Sequence, residues 1–229
     1  MLSIRRVARA GIPTSHGNFE MCVYEAADRK EHVALFTGFE LGTLDENEPV
    51  LIRLHSECLT GDVFGSRRCD CGEQLEESMR LLREQGRGVL LYLRQEGRGV
   101  GLANKISAYA LQEEGLDTVQ ANLALGLPDD ARDYRVAAEM LLDLGVRRAA
   151  VLTNNPAKLE GLRRHGIEVV DRLPVRVDPN PFNLAYLRTK REKLGHLLPS
   201  SVLPGERHTE GQAEGHAEGH AGGSVNGAS

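Results

Sequence analysis

Short apolar runs separated by turn residues occupy the first sixty positions, at 19–24, 32–36 and 49–55. They predict strands, with 26–31 as a hairpin connection. The basic stretch 1–10 is expected to supply the first strand and its approach. After Cys71 the period changes. Leu75, Met79 and Leu82 recur at helical spacing, with Glu and Arg between them, up to Gly86. This predicts an amphipathic helix in which Met79 is a core residue rather than a ligand. The continuous apolar run 88–93 predicts a buried strand. Glycines at 97, 99 and 101 follow it and open a helix near Leu102, with Ile106, Ala110 and Leu111 as its expected apolar face. Residues 115–133 show no period and predict a long charged loop. Helix, strand, helix and strand then follow at 134–144, 149–153, 156–166 and 167–170. Ala137, Ala138, Leu141 and Leu142 face the core in the first of these. Asn155 is placed to cap the second of these helices, and Pro156 to start it. A short closing helix is expected at 184–194.

The expected fold class is therefore α/β, or mixed α+β. An N-terminal β-rich portion packs with a strand–helix alternating portion in one domain, residues 1–199. From residue 200 to 229 Gly, Ala, Glu, Ser and His dominate, and Ala-Glu-Gly-His repeats at 213–220. Such a composition cannot bury a core, so a disordered low-complexity tail is expected. Its His208, His216 and His220 are either solvated or metal-scavenging.

Composition narrows the partners. An apolar fraction of 41% in 229 residues sustains a sizeable core. The net charge of −5 argues against a general nucleic-acid coat but permits a local anion site. No apolar run approaches the roughly 18 residues of a membrane span. The N-terminus lacks the apolar centre of a signal peptide, although a transit peptide is an alternative to a first strand. Of four cysteines, Cys22 stands alone, while Cys58, Cys69 and Cys71 lie within nineteen residues of Arg53. That pattern suits metal-bound thiols in a reducing cytoplasm better than a disulfide framework.

Candidate chemistry concentrates in three places, each on a segment that follows a predicted strand. In 53–72, Gly61, Gly65 and Gly72 supply bends that let three thiols converge, among His55, Glu57, Asp62, Arg67, Arg68 and Asp70. Three sulfurs and an open fourth position suit a catalytic zinc, whose bound water falls to a pKa of about 7. A closed structural zinc site and simple buried thiols are the alternatives. The turn 94–102 exposes backbone N–H groups at a helix N-terminus, which suits phosphate. It matches neither the dinucleotide fingerprint nor a Walker loop, and a tight turn with solvated Arg94 and Arg98 explains it equally. Thr153 and Lys158 flank a second helix N-terminus. Tyr109 is either core or site. Asp130 and Arg132, by residue type alone, are a solvated pair or a helix N-cap. Open α/β sheets place ligands at strand C-termini, where these candidates fall.

Several motifs together, Arg53-Leu-His-Ser-Glu-Cys-Leu-Thr-Gly-Asp62, Cys69-Asp-Cys-Gly72, Gln95-Glu-Gly-Arg-Gly-Val-Gly-Leu102, Gln120-Ala-Asn122 and Leu152-Thr-Asn-Asn-Pro-Ala-Lys158, closely resemble GTP cyclohydrolase II. The resemblance spans roughly residues 5–198. It implies the first committed step of riboflavin biosynthesis: hydrolysis of GTP with release of formate and pyrophosphate, giving 2,5-diamino-6-ribosylamino-4(3H)-pyrimidinone 5′-phosphate. It implies zinc on Cys58, Cys69 and Cys71, and Mg²⁺ with the GTP phosphates. It assigns GTP contacts to Arg53, Leu54, His55, Ser56, Glu57, Gln74, Glu96, Gly97, Arg98, Thr118, Thr153 and Lys158. Asp130 becomes a proton acceptor, Arg132 a nucleophile at the α-phosphorus, and Tyr109 a neighbour of the opened imidazole ring. Because a guanidinium stays protonated near neutral pH, Arg132 stabilising the phosphorane while water attacks is the alternative. A cytoplasmic homodimer is implied, in a monofunctional form whose 229 residues leave no room for a fused 3,4-dihydroxy-2-butanone 4-phosphate synthase. A non-catalytic GTP-binding module with a structural zinc, or a relative releasing a formamide for another pathway, are the competing expectations.

Overall fold

The computed structural model describes residues 3–128, 130–192 and 195–197, so the tail expected to be disordered at 200–229 lies outside the described residues. Seven strands form one mixed sheet: β1 (Ile4–Thr14), β2 (Gly17–Ala26), β3 (Glu31–Thr37), β4 (Val50–Ser56), β5 (Gly88–Leu93), β6 (Arg148–Leu152) and β7 (Glu168–Leu173). Their spatial order is β1-β2-β3-β5-β4-β6-β7. The pairs from β1 through β3 to β5 are antiparallel, and those joining β5, β4, β6 and β7 are parallel. The β-rich and alternating portions thus share one sheet, joined at β3–β5. Edge strand β1 is mostly exposed and carries Arg5, Arg6 and Arg9, charges that discourage pairing with another chain.

Helices cover both faces. α5 (Arg135–Asp143) and α6 (Pro156–Arg164) lie on one face. There Ala137, Ala138, Met140 and Leu141 meet Ile52, Leu54, Val89, Leu91 and Val151. α2 (Cys71–Glu84) covers the other, where Leu82 packs with Leu90, Leu152 and Val175, and Met79 joins from the side. The alternation along β5 explains the division: Val89, Leu91 and Leu93 point to one layer and Leu90 to the other. Asn155 caps α6 by accepting the Ala157 N–H at 2.9 Å, with Pro156 in the first turn, as its sequence predicts.

Two expectations are corrected. Residues 115–133 are not one loop, because α4 (Thr118–Ala124) forms within them. Asp117 accepts N–H groups of Val119 and Gln120, and Gln120 accepts the Asp117 N–H, a capping box that starts the helix. The second concerns α3 (Leu102–Glu113), whose apolar stripe does not face a core. Ile106 is 46% exposed, and Ala108 is the buried residue of this helix. The inward stripe is Lys105, Ala108, Tyr109 and Gln112, at helical spacing, because α3 walls a polar cleft rather than the sheet. The remaining helices are α1 (Leu59–Asp62), a 3₁₀ turn at Glu96–Gly99, and α7 (Leu184–Glu192). Among the described residues no helix is long and apolar enough to cross a membrane.

Candidate active site

Parallel strands β4, β5 and β6 end on the same edge of the sheet, and the segments leaving them frame a cleft. There the thiols of Cys58, Cys69 and Cys71 lie within 4.8 Å of one another, with Cys58 and Cys69 Sγ atoms 3.6 Å apart. Tetrahedral bonds of about 2.3 Å hold sulfurs roughly 3.8 Å apart, so the trio fits one metal ion with a fourth direction left over. The cradle is packed around the sulfurs. A Cβ on Gly61 would lie 2.9 Å from Cys69 Sγ and 3.2 Å from Cys58 Sγ, and one on Gly72 would lie 2.5 Å from the Gly61 carbonyl oxygen. Gly61 and Gly72 therefore provide room; of the three, Gly65 is the one with positive φ.

Buried Asp62 fixes this loop. It accepts the Cys58 N–H and the Tyr92 hydroxyl, each at 2.9 Å, and meets His55 Nε2 at 3.0 Å. Lys105 donates to Cys58 Sγ at 3.1 Å and to Glu96 Oε1 at 2.8 Å, while Glu96 Oε2 accepts the Leu59 N–H. The hydrogen bonds of Cys69 and Cys71, with Lys105 nearby, pull the Cys58 thiol well below its ordinary pKa. The bond to that thiolate pushes Cys69 up to about 11. One negative charge is thus shared among the three sulfurs, a cluster that loses its remaining protons on binding a cation.

The same cleft is rich in cations. Gly97 and Arg98 are both left-handed, at φ 62° and 61°, and Gly101 precedes α3 at φ 90° without a side-chain cap. Left-handed backbone at a non-glycine costs roughly 1–2 kcal/mol, so the fold holds Arg98 there against preference. The Ala131 N–H donates to the Arg98 carbonyl at 3.0 Å, which ties this turn to the segment bearing Arg132. Arg132 donates through Nε to Asp130 Oδ1 at 2.8 Å and through its terminal nitrogen to Oδ2. Burial pulls the Arg132 pKa down, but the Asp130 pairing outweighs it and holds the guanidinium charged. Buried Lys158 donates to the Leu54 carbonyl at 2.7 Å. Burial, with Arg53 and Arg132 nearby, holds its pKa well below the ordinary value. Burial also lowers Arg53 to about 10; it donates to the Leu152 carbonyl and to Gln74 Oε1.

The cleft brings together Arg53, His55, Ser56, Glu57, the three cysteines, Gln74, Glu96, Gly97, Arg98, Tyr109, Thr118, Arg132, Thr153 and Lys158. Two predicted residues stand apart from its lining. The Leu54 side chain is wholly buried in the core and offers only its carbonyl, and Asp130 reaches the cleft through Arg132. Lys105, Gln112, Tyr186, Lys190 and His196 line the cleft and were missed. Lys105 was legible in principle, as a cation one turn into the helix that the glycine-rich turn opens. Lys190 and His196 carry no local signal, since only the return of the chain places them.

The family model for GTP cyclohydrolase II matches residues 5–174. A riboflavin biosynthesis protein RibBA from Mycobacterium tuberculosis (strain ATCC 25618 / H37Rv) is 53% identical over 212 residues, 89% of this chain and 50% of that protein. The RibBA protein of Chlorobium phaeovibrioides (strain DSM 265 / 1930) is 49% identical over 203 residues, 88% of this chain and 48% of that one. The chain thus spans about half the length of the curated relatives it matches. A solved structure, the two-domain 3,4-dihydroxy-2-butanone 4-phosphate synthase RibBX from A. baumannii, aligns at a TM-score of 0.38 and 18% identity over 76% of this chain and 41% of that one, too low a likeness to carry an argument. With a match over most of its length and half its residues shared with such relatives, the chain belongs to the GTP cyclohydrolase II family.

Proposed function

We propose that this protein hydrolyses GTP in the first committed step of riboflavin biosynthesis, opening the imidazole ring and releasing formate and pyrophosphate. The product is 2,5-diamino-6-ribosylamino-4(3H)-pyrimidinone 5′-phosphate. The observation that carries this is one cleft that holds both a metal-ready thiol trio and a cluster of cations. Zinc is the proposed metal, on Cys58, Cys69 and Cys71, and it would supply Lewis acidity and an activated water at C8 of the guanine. Every other role falls to side chains. Arg98, Lys158 and the open N-terminus of α3 bind the Mg²⁺-bearing triphosphate, and their positive potential stabilises the developing charge. Arg53, His55, Ser56, Glu57, Gln74, Glu96, Thr118 and Thr153 orient the nucleotide, with Tyr109 beside the ring.

At the α-phosphorus two roles for Arg132 compete. The paired donation to Asp130 supports a fixed cation that stabilises the phosphorane while water attacks. Covalent attack by Arg132 first requires a proton to pass to Asp130. Alkaline quenching of turnover on GTP labelled at the α-phosphate separates them: label retained on the protein is expected only of the covalent route.

The deciding experiment supplies zinc-loaded protein with GTP and Mg²⁺ and quantifies formate, pyrophosphate and nucleotide product together. Equal formate and pyrophosphate with an aminopyrimidine are expected. Bound GTP with neither product would mean a binding module, and a formamide product would mean another pathway. Sedimentation tests the homodimer, carried forward from the family resemblance.

A further inference from the structure

The family-matched stretch ends at residue 174, but the cleft does not. Tyr186, Lys190 and His196 line it beside Arg98, Arg132 and Lys158. The chain that carries them is anchored at several points. Val175 and Leu187 are each 2% exposed, and Asn183 is wholly buried. Asn154 Nδ2 donates to the Val175 carbonyl at 2.7 Å, and the Leu197 N–H donates to the Asn154 carbonyl at 2.8 Å. The His196 N–H donates to the Lys190 carbonyl at 3.0 Å, which folds the chain back over the last turn of α7. Lys190 Nζ donates to buried Asp70, between Cys69 and Cys71, and lies 4.5 Å from the centre of the Tyr186 ring. The segment is therefore tied both to the end of β6 and to the thiol loop.

We propose that His196 is a substrate-binding residue, donating a ring N–H to the polyphosphate of the nucleotide, on a segment that Lys190 positions by its bond to Asp70. The inference rests on the GTP reading of the same cleft. Three observations carry it. His196 lines the cleft that also holds Arg98 and Lys158, proposed to bind the triphosphate, and Arg132, proposed to act at the α-phosphorus. Its backbone is fixed by hydrogen bonds on both sides, at His196 and at Leu197. Its surroundings are positive: burial and the charges of Lys190, Lys158, Arg132 and Arg98 hold the imidazole pKa down at about 3. A neutral imidazole still donates one N–H, and a polyanion among those cations favours its protonated, doubly donating form.

The test compares full-length, zinc-loaded wild type with His196→Ala and His196→Gln, using GTP and guanosine as paired probes. For His196→Ala, Kd and KM for GTP are expected to rise about tenfold, roughly 1.4 kcal/mol. Guanosine affinity should stay within twofold, with zinc content and Tm unchanged. His196→Gln, which keeps a donor, should recover part of the loss. An unchanged GTP affinity, or equal weakening for GTP and guanosine, would overturn the proposal. If the variants fail to fold, hydrogen exchange on the wild type decides. Peptides covering 184–197 should gain protection with GTP but not with guanosine, and no difference sinks the idea. Wild type that binds GTP without releasing formate removes the catalytic reading but leaves this one standing. Wild type that binds GTP no better than guanosine removes both.

Discussion

At the scale of single residues, the cleft is built from groups whose preferences conflict with the folded state. Gly61 shows how little tolerance the thiol cradle has. A methyl group there would sit 2.9 Å from Cys69 Sγ and 3.2 Å from both Cys58 Sγ and Cys71 Cβ, so it would crowd all three cysteines at once. Gly61→Ala is therefore expected to lower bound zinc at least tenfold at limiting metal, with formate release falling in proportion. Metal analysis after gel filtration checks it, and an unchanged stoichiometry would refute the cradle. Lys158 shows the opposite case, a residue that costs stability. It is 6% exposed, its amine is bonded to a carbonyl, and Arg53 and Arg132 lie nearby. Lys158→Met should cut turnover at least a hundredfold yet hold or raise Tm, since a buried cation is replaced by an apolar chain of similar length. The sign with pH follows from linkage. The folded-state pKa lies below the unfolded value, so the folded protein binds fewer protons. The destabilisation is complete below the folded-state pKa and fades as pH rises toward about 10.5. The variant's gain in Tm should shrink over the same window, and a gain that grows with pH would contradict it.

At the scale of elements, α5 and α6 transmit geometry to the site from behind. Gly161 on α6 faces Tyr134 at the start of α5, and a Cβ there would lie 2.7 Å from Tyr134 Cδ2. The Arg132 guanidinium sits 5.8 Å from the centre of the Tyr134 ring. Gly161→Ala is expected to cost about 1–3 kcal/mol by overpacking. It should also lower kcat more than it raises KM, because Arg132 moves while the purine end does not. Denaturant unfolding and steady-state kinetics measure the two effects, and a stability loss with unaltered kcat would break the link. Elements also show what the sequence can and cannot convey. The strands at 88–93 and 149–153, the helix after Cys71 and the cap at Asn155 follow from period and capping chemistry, which are local. The inward face of α3 was read backwards from Ile106, Ala110 and Leu111 because a cleft wall selects polar residues where a core wall selects apolar ones. α4 was hidden by its short length and by the glycines flanking it, although Asp117 and Gln120 spell its capping box. The thiol trio was visible as spacing, but its arrangement with Lys105, and the return of His196, depend on contacts across the whole chain.

At the scale of the whole molecule, a net charge of −5 coexists with a cleft lined by Arg53, Arg98, Lys105, Arg132, Lys158 and Lys190. Among the described residues, Glu96 pairs with Lys105, Asp130 with Arg132, and Asp70 with Lys190. Lys158 is held below its ordinary pKa by burial and by Arg53, Arg132 and Lys190. A triphosphate entering this field favours the protonated amine, so GTP binding should take up protons from solution. The measurement belongs near pH 8, above the roughly pH 6 titration of a terminal phosphate, which then has no proton to give. Calorimetric titrations in two buffers of different ionisation enthalpy should then report net uptake, and KM for GTP should rise with pH. Lys158→Met should remove most of that uptake while His196→Ala removes less, since the imidazole starts from a pKa of about 3, far below the pH of the measurement. Net proton release on binding, or an uptake that Lys158→Met leaves intact, would place the responsive charge elsewhere and dissociate the depressed lysine from recognition of the triphosphate.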